Sequence, residues 1–305
     1  MNSTGDARAA AAESAFRRYH QIRPRLPPAT HPAQAITLPT LEEVADHVDG
    51  FLLDAFGVLN LGDTAIPSAV ARMASLRARG KRLIVLTNAA SVPRPALVAK
   101  YRRLGFDFAE DQVVSSRDVA AARLDSIAPG ATWAAIAAPG DDFADIPARL
   151  MDAIDRPSAL DDADAILFLS TARWTPAWQD RLRRALERRP RPLVVANPDL
   201  VAPREDGLSQ EPGLFAHALC DALPLPVHWF GKPFPHAFAD AIARAGLPAH
   251  RLAMVGDTLH TDVLGAAAAG CRTVLVTDHG LFAGRPIAPL VATSGIVPDV
   301  IVPTP

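Results

Sequence analysis

Short apolar runs alternate with amphipathic stretches along most of the chain. GFLLDAF, from Gly50, is an almost unbroken apolar run carrying one acidic residue, which predicts a strand buried on both faces, as in a parallel sheet. IPSAVARMASLRARG follows as a helix, with Val70, Met73 and Leu76 on one face and Gly80 as its stop. RLIVLTN predicts the next strand, and PALVAKYRRLG a helix with the stripe Leu97, Tyr101 and Leu104, ended by Gly105. The rhythm recurs twice. TWAAIAAP, ADAILFLST and PLVVANPD predict strands, between or after which PAWQDRLRRALERR and GLFAHALCDAL predict helices. VHWFG, LAMVGD, RTVLVTDHG and PDVIVP then predict strands, with PHAFADAIARAG and TDVLGAAAAG as helices. This alternation predicts an α/β fold built on a doubly wound parallel sheet with right-handed crossovers. No solenoid period is present. Residues 1–40, rich in Ala, Pro and Arg, predict a loosely held extension with one short helix at 10–20.

Composition narrows the class. The 305 residues are 49% hydrophobic and 21% charged, a globular balance with room for one large domain or two ordinary ones. A net charge of -2 offers no basic surface for nucleic acid. No apolar run approaches the roughly 20 residues of a membrane span. The N-terminal stretch lacks an apolar segment followed by a cleavage site, so a cytoplasmic protein is expected. Cys220 and Cys271 lie in apolar contexts without metal-like spacing and are expected to be reduced, buried thiols. Of the 31 basic residues only Lys81, Lys100 and Lys232 are lysine.

Four predicted strand ends carry polar chemistry, in the order LLDAFGVL, IVLTNAAS, FGKPFP and MVGDTLHTD. Open α/β sheets collect function at the carboxyl ends of their strands. Asp54 at such an end can attack phosphorus, and Asp257 can share a hard divalent cation with it. The hydroxyl of Thr87 and the amide of Asn88 can hold phosphate oxygens. Lys232, a lysine in an arginine-preferring chain, supplies a compact positive charge. Phosphoryl transfer needs chiefly this positioning and charge neutralisation.

The ordered set resembles the motifs of haloacid-dehalogenase (HAD) hydrolases, in particular the NagD-like or nitrophenylphosphatase subclass with a large cap. The resemblance runs from about Gly50 to the C-terminus and is densest over FGKPFPHAFADAIARAGLPAHRLAMVGDTLHTDVLGAAAAGCRTVLVTDHG. It implies a Rossmann-like core at 41–116 and 228–305 with an inserted α/β cap at 117–227. It implies Asp54 as nucleophile and metal ligand, the Phe56 carbonyl and Asp257 as ligands of Mg2+, and Asp262 in or behind that ligand set. Thr87, Asn88 and Lys232 would hold the phosphate. The partner implied is a small phosphorylated metabolite, and the subclass is compatible with a homodimer.

One position departs from the pattern. The family's phosphatases have Asp-x-Asp, in which the second Asp gives and takes the reaction's proton; here the sequence is Asp54-Ala55-Phe56. Such proton transfer contributes about 10²–10⁴ in rate. Three readings stay open: a phosphatase with another acid or an undemanding leaving group, a hydrolase of phosphonates or other non-ester bonds, and a non-catalytic binding protein on the same fold. His260 and His236 are stand-in acids by type, although each reads more simply as a solvated histidine at a helix start. Asn197, Pro198 and Asp199 form either a turn or part of the substrate pocket. Trp174 and Trp178 read as packing, Ser115 and Ser116 as helix caps, and Arg191, Arg204 and the run RLRRALERRPR as a solvated helix face.

Overall fold

The computed structural model describes residues 3–305; the first two residues of the expected extension lie outside it. Its strands, in chain order, are β1 (Ile36–Thr37), β2 (Gly50–Leu53), β3 (Asn60–Leu61), β4 (Thr64–Ala65), β5 (Arg82–Thr87), β6 (Val113–Ser115), β7 (Thr132–Ile136) and β8 (Arg149–Asp152). They continue with β9 (Ala165–Phe168), β10 (Leu193–Val195), β11 (Val201–Arg204), β12 (Gly207–Gln210), β13 (Val227–Trp229), β14 (Leu252–Gly256), β15 (Arg272–Val276) and β16 (Val300–Val302). A seven-stranded parallel sheet has the order β1-β16-β15-β14-β2-β5-β6. The chain leaves β2 toward β5 and β6, then returns on the other side through β14, β15 and β16. Asp54 therefore sits where the strand order reverses, the place where ligands bind in such sheets.

A second parallel sheet, β13-β10-β9-β7-β8, forms the cap. Its central strands are apolar on both faces, as the sequence pattern requires: all of Ala165–Phe168 and Leu193–Val195 are buried. One apolar cluster joins the two sheets, with Leu52, Ile84 and Met254 of the first and Trp133, Leu167 and Val194 of the second. Antiparallel hairpins β3–β4 and β11–β12 lean on each other, the Asp63 backbone N–H donating to Glu205 at 2.6 Å.

Several expectations need correction. The N-terminal stretch is not loose. Ser3–Gln21 is one helix, and Ala12, Ala15, Phe16, Tyr19 and Ile22, spaced for a single stripe, are buried. That stripe packs on Leu259, Val263, Leu281 and Phe282 of the core and on Leu200 of the cap. Arg18 and Arg25 pair with Asp221 of the cap, and Arg285 with Glu13. The expected changeover between cap and core at 227/228 cuts strand β13, whose three residues pair with Leu193, Val194 and Val195. Val227–Trp229 is thus a cap strand, and Lys232 follows its end. Cys271 is buried as expected, but Cys220 is only half-buried. Among the described residues no helix is long and apolar enough to cross a membrane.

Candidate active site

Asp54 follows β2 directly, and its backbone N–H donates to Val255 O at 2.9 Å, fixing it against β14. Its Oδ1 accepts from the Ala55 N–H at 2.7 Å and lies 2.6 Å from Lys232 Nζ. Asp262 Oδ1 lies 2.6 Å from the same Nζ, so one ammonium bridges two carboxylates. Asp262 reaches back because Leu259–Val263 forms a π-helical turn, a wide turn common at functional sites. Its Oδ2 also accepts from the Thr258 N–H at 3.0 Å. Asp257 is the third carboxylate, and Asp54, Asp257 and Asp262 each place one oxygen within 4.8 Å of the others. Thr258 Oγ1 and the Leu281 N–H hold Asp257 at 2.9 and 2.7 Å. Gly57 and Gly280 flank it with φ of +82° and +80°. A Cβ at either would come within 2.5 or 1.9 Å of its carboxylate, so both backbone angle and space demand glycine.

The electrostatics of this cluster are unbalanced. Burial, the largest cause, pushes the Asp54 carboxyl above its usual range, with Lys232 opposing and Asp262 adding to the rise. Burial likewise raises Asp257, reinforced by Asp262 and Asp54. For Lys232 burial acts downward, but Asp262, Asp54 and Asp199 outweigh it and hold the ammonium charged. Three carboxylates gather here, and the one lysine pairs with only two of them, Asp54 and Asp262. The donor set, all carboxylate oxygen at close spacing, fits a hard divalent cation.

Thr87 ends β5 and Asn88 follows it, and both are buried. Asn88 locks the two sheets together. Its Oδ1 accepts from the Lys232 N–H at 2.7 Å, and its Nδ2 donates to Lys232 O at 3.0 Å and to Asp199 Oδ1 at 2.8 Å. A cavity of about 260 Å³ opens between the sheets, walled by Asp54, Thr87, Asn88, Asp199 and Asp257 among others. Phe56 lines the cavity too, its ring lying under Lys100 Nζ at 5.0 Å and the Arg204 guanidinium at 4.8 Å.

Comparison with known proteins gives this geometry a family. A model of haloacid dehalogenase-like hydrolases matches residues 51–144, and a HAD-hydrolase-like model matches 229–298. The glycerol-3-phosphate phosphatase of Gallus gallus is 31% identical over 85% of this chain and 90% of its own length. The chain belongs to the haloacid dehalogenase-like hydrolase family. The D-glycerol 3-phosphate phosphatase of Mycobacterium tuberculosis is also 31% identical, over 77% of this chain and 65% of that enzyme. Crystal structures of a glycerol phosphate phosphatase from that organism, with calcium and with magnesium, superpose with a TM-score of 0.63 and 28% identity. The calcium complex is covered to 68% and this chain to 77%. The p-nitrophenyl phosphatase of Archaeoglobus fulgidus shares the fold, with a TM-score of 0.71 at 24% identity over 84% of this chain and 96% of that one.

The structure brings together Asp54, Thr87, Asn88, Lys232, Asp257 and Asp262, and sets Phe56 on the cavity wall. It disposes differently of the other sequence candidates. His260 is not solvated: it is fully buried, stacked on Tyr19 with ring centroids 5.0 Å apart, and neither ring nitrogen has a partner among the described residues. Burial, helped by Arg23 and His20, pulls its pKa down to about 3. It does not line the cavity, and His236 is exposed on the surface and does not line it either. Arg191 is buried rather than solvated, donating to Leu160 O, and Arg204 belongs to β11 above Phe56. Ser115 caps the Ser116–Ala121 helix by accepting from the Asp118 N–H at 3.2 Å. Trp174 and Trp178 pack on the cap core. Lys100, Tyr101 and Arg204 also line the cavity; Tyr101 reads in the sequence only as part of a helix stripe.

Proposed function

We propose that this chain is a magnesium-dependent phosphatase of small phosphorylated metabolites, working through an aspartyl-phosphate at Asp54. The observation that carries the reading is the bridging of Asp54 and Asp262 by Lys232, beside Asp257, directly behind a cavity of about 260 Å³ that Asp54 and Asp257 line. Asp54 attacks the phosphorus, held against β14 by its own backbone. The Thr87 hydroxyl and the Asn88 backbone amide receive phosphoryl oxygens, and Lys232 neutralises their charge. Asp54, Asp257, Asp262 and the Phe56 carbonyl are the residues that would hold magnesium, which when bound supplies the remaining positive charge. Asn88 and Asp199 couple the site to the cap, and the cap, from about 117 through Trp229, selects the substrate. The names of the glycerol-3-phosphate phosphatase relatives support a short phosphorylated polyol as the first substrate to try.

The test is phosphate release from a panel of phosphate esters and phosphonates, with magnesium and with chelator. Asp54→Asn should lower ester turnover by about 10⁴-fold or more, as loss of a nucleophile does. Turnover independent of magnesium, or untouched by Asp54→Asn, would sink the reading. Phosphate release from phosphonates with esters left intact would replace it with a carbon–phosphorus hydrolase.

A further inference from the structure

We propose that Asp199, on the cap, takes the proton-transfer role that Phe56 cannot perform; this rests on the phosphatase reading above. The reaction needs a carboxylic acid on the cavity wall that can be protonated yet is held in place. Asp54 is committed as nucleophile, and Asp257 is held by Thr258 and Leu281 within the cation cluster. Asp63 pairs with Lys100 at 2.9 Å, and that hydrogen bond keeps its carboxyl below the usual range, the charged and proton-poor form. Glu211 pairs with Arg204 at 3.2 Å and accepts from Ser209 and Asn197 at 2.5 and 3.0 Å. The histidines are off the cavity.

Asp199 differs from all of these. It lines the same cavity as Asp54, and among the described residues no lysine or arginine pairs with it. Its side chain accepts only the Asn88 amide, at 2.8 Å, which fixes one oxygen and leaves the other without a charged partner. Its backbone is fixed as well, since its N–H donates to Asn197 Oδ1 at 3.0 Å and the next residue, Leu200, donates to the Tyr19 hydroxyl at 3.1 Å. Burial raises its carboxyl well above the usual range, Lys232 opposing and Asp54 reinforcing, the direction a proton donor needs.

The proton balance closes. Asp54 attacks phosphorus, the bond from phosphorus to the leaving oxygen breaks, and that oxygen takes the proton of Asp199. The products are the free alcohol, the aspartyl-phosphate and an Asp199 carboxylate. Water then attacks phosphorus and gives its proton to Asp199, while the bond to Asp54 breaks and its electron pair returns to Asp54. Inorganic phosphate leaves and Asp199 is protonated again.

Asp199→Asn keeps the size and an oxygen for Asn88 but cannot exchange the proton. Wild type and variant are compared with magnesium on glycerol 3-phosphate, whose alkoxide needs protonation, and on p-nitrophenyl phosphate, whose phenolate does not. The variant should lose about 100-fold or more in kcat on the alkyl ester. On the phenyl ester it should release a stoichiometric burst of p-nitrophenol and then turn over slowly, because dephosphorylation lacks its base. Equal losses on both substrates without a burst, or no loss on either, would overturn the role of Asp199 and leave the phosphatase intact. A wild type inert on both substrates would overturn the phosphatase reading and this assignment together.

Discussion

Two buried ion clusters lie in this molecule, and the same ingredients serve opposite ends in them. Arg117 is fully buried and forms a double fork. Its Nε and Nη2 donate to Asp145, each at 2.7 Å, while Nη1 and Nη2 donate to Asp141 at 2.6 and 2.9 Å; Nη1 also reaches Ala90 O at 3.3 Å. All five guanidinium donors are used. Burial pushes the Asp145 carboxyl up, yet the hydrogen bonds and charge of Arg117 outweigh it, and the net shift is downward. Around Lys232, by contrast, Asp54 and Asp257 are both shifted upward and Asp199 stands near without a cation of its own. The first cluster is satisfied by its own residues and holds the Ser116–Ala121 helix to the loop after β7. The second carries more negative charge than its lysine can answer. Arg117 also faces two carboxylates, but it hydrogen-bonds both through all five of its donors; the lysine cluster leaves Asp257 and Asp199 without a cationic partner, which is the mark of a candidate ligand site.

The contrast can be broken first at Arg117. Arg117→Met strands two carboxylates in the interior and should lower unfolding stability by about 3–5 kcal/mol, read by denaturant titration. A loss under about 1 kcal/mol would show that this cluster too is dispensable. The active-site cluster should respond in the other direction. The folded pKa of Asp257 is raised, so without a divalent cation its contribution to stability is intact below its unfolded pKa, about 4, and is lost as pH climbs through the raised folded value. Melting temperatures of chelated wild type should therefore fall across that window, magnesium should restore them, and Asp257→Asn should flatten the slope. A variant as pH-dependent as the wild type would place the imbalance elsewhere. The smallest effect is expected at Tyr19. Tyr19→Phe leaves the buried Leu200 N–H without its partner and should cost about 1–3 kcal/mol while leaving kcat little changed, measured by melting and by turnover.

The strands of the two sheet centres were legible because burial on both faces writes an apolar run, and the candidate site positions because each run stops at a polar residue. Gly50–Leu53 and Leu252–Gly256 show both signals. β8 was not legible: Arg149–Asp152 is an edge strand with no fully buried residue, so it carries no apolar run. The sheet membership of β13 could not be read from VHWFG, because strand pairing is a long-range fact. The same holds for the site. Asp54, Thr87, Lys232 and Asp257 announce themselves locally. Asp199 reads as a turn until Asn88, more than a hundred positions earlier, is seen to hold it. The histidine in GDTLHTD looked exposed because nothing near it in sequence reveals that Tyr19 covers it.

The N-terminal helix has a consequence for how the chain is made. Phe16, Tyr19 and Ile22 are synthesised more than two hundred residues before Leu259, Leu281, Phe282 and Leu290, on which their cluster is built. At about 5–20 residues per second, the helix's apolar stripe waits roughly ten to fifty seconds for its seat. Over that interval the stripe has only nearer segments such as the one carrying Leu200 to pack on, and its cover is completed when Leu259 to Leu290 emerge.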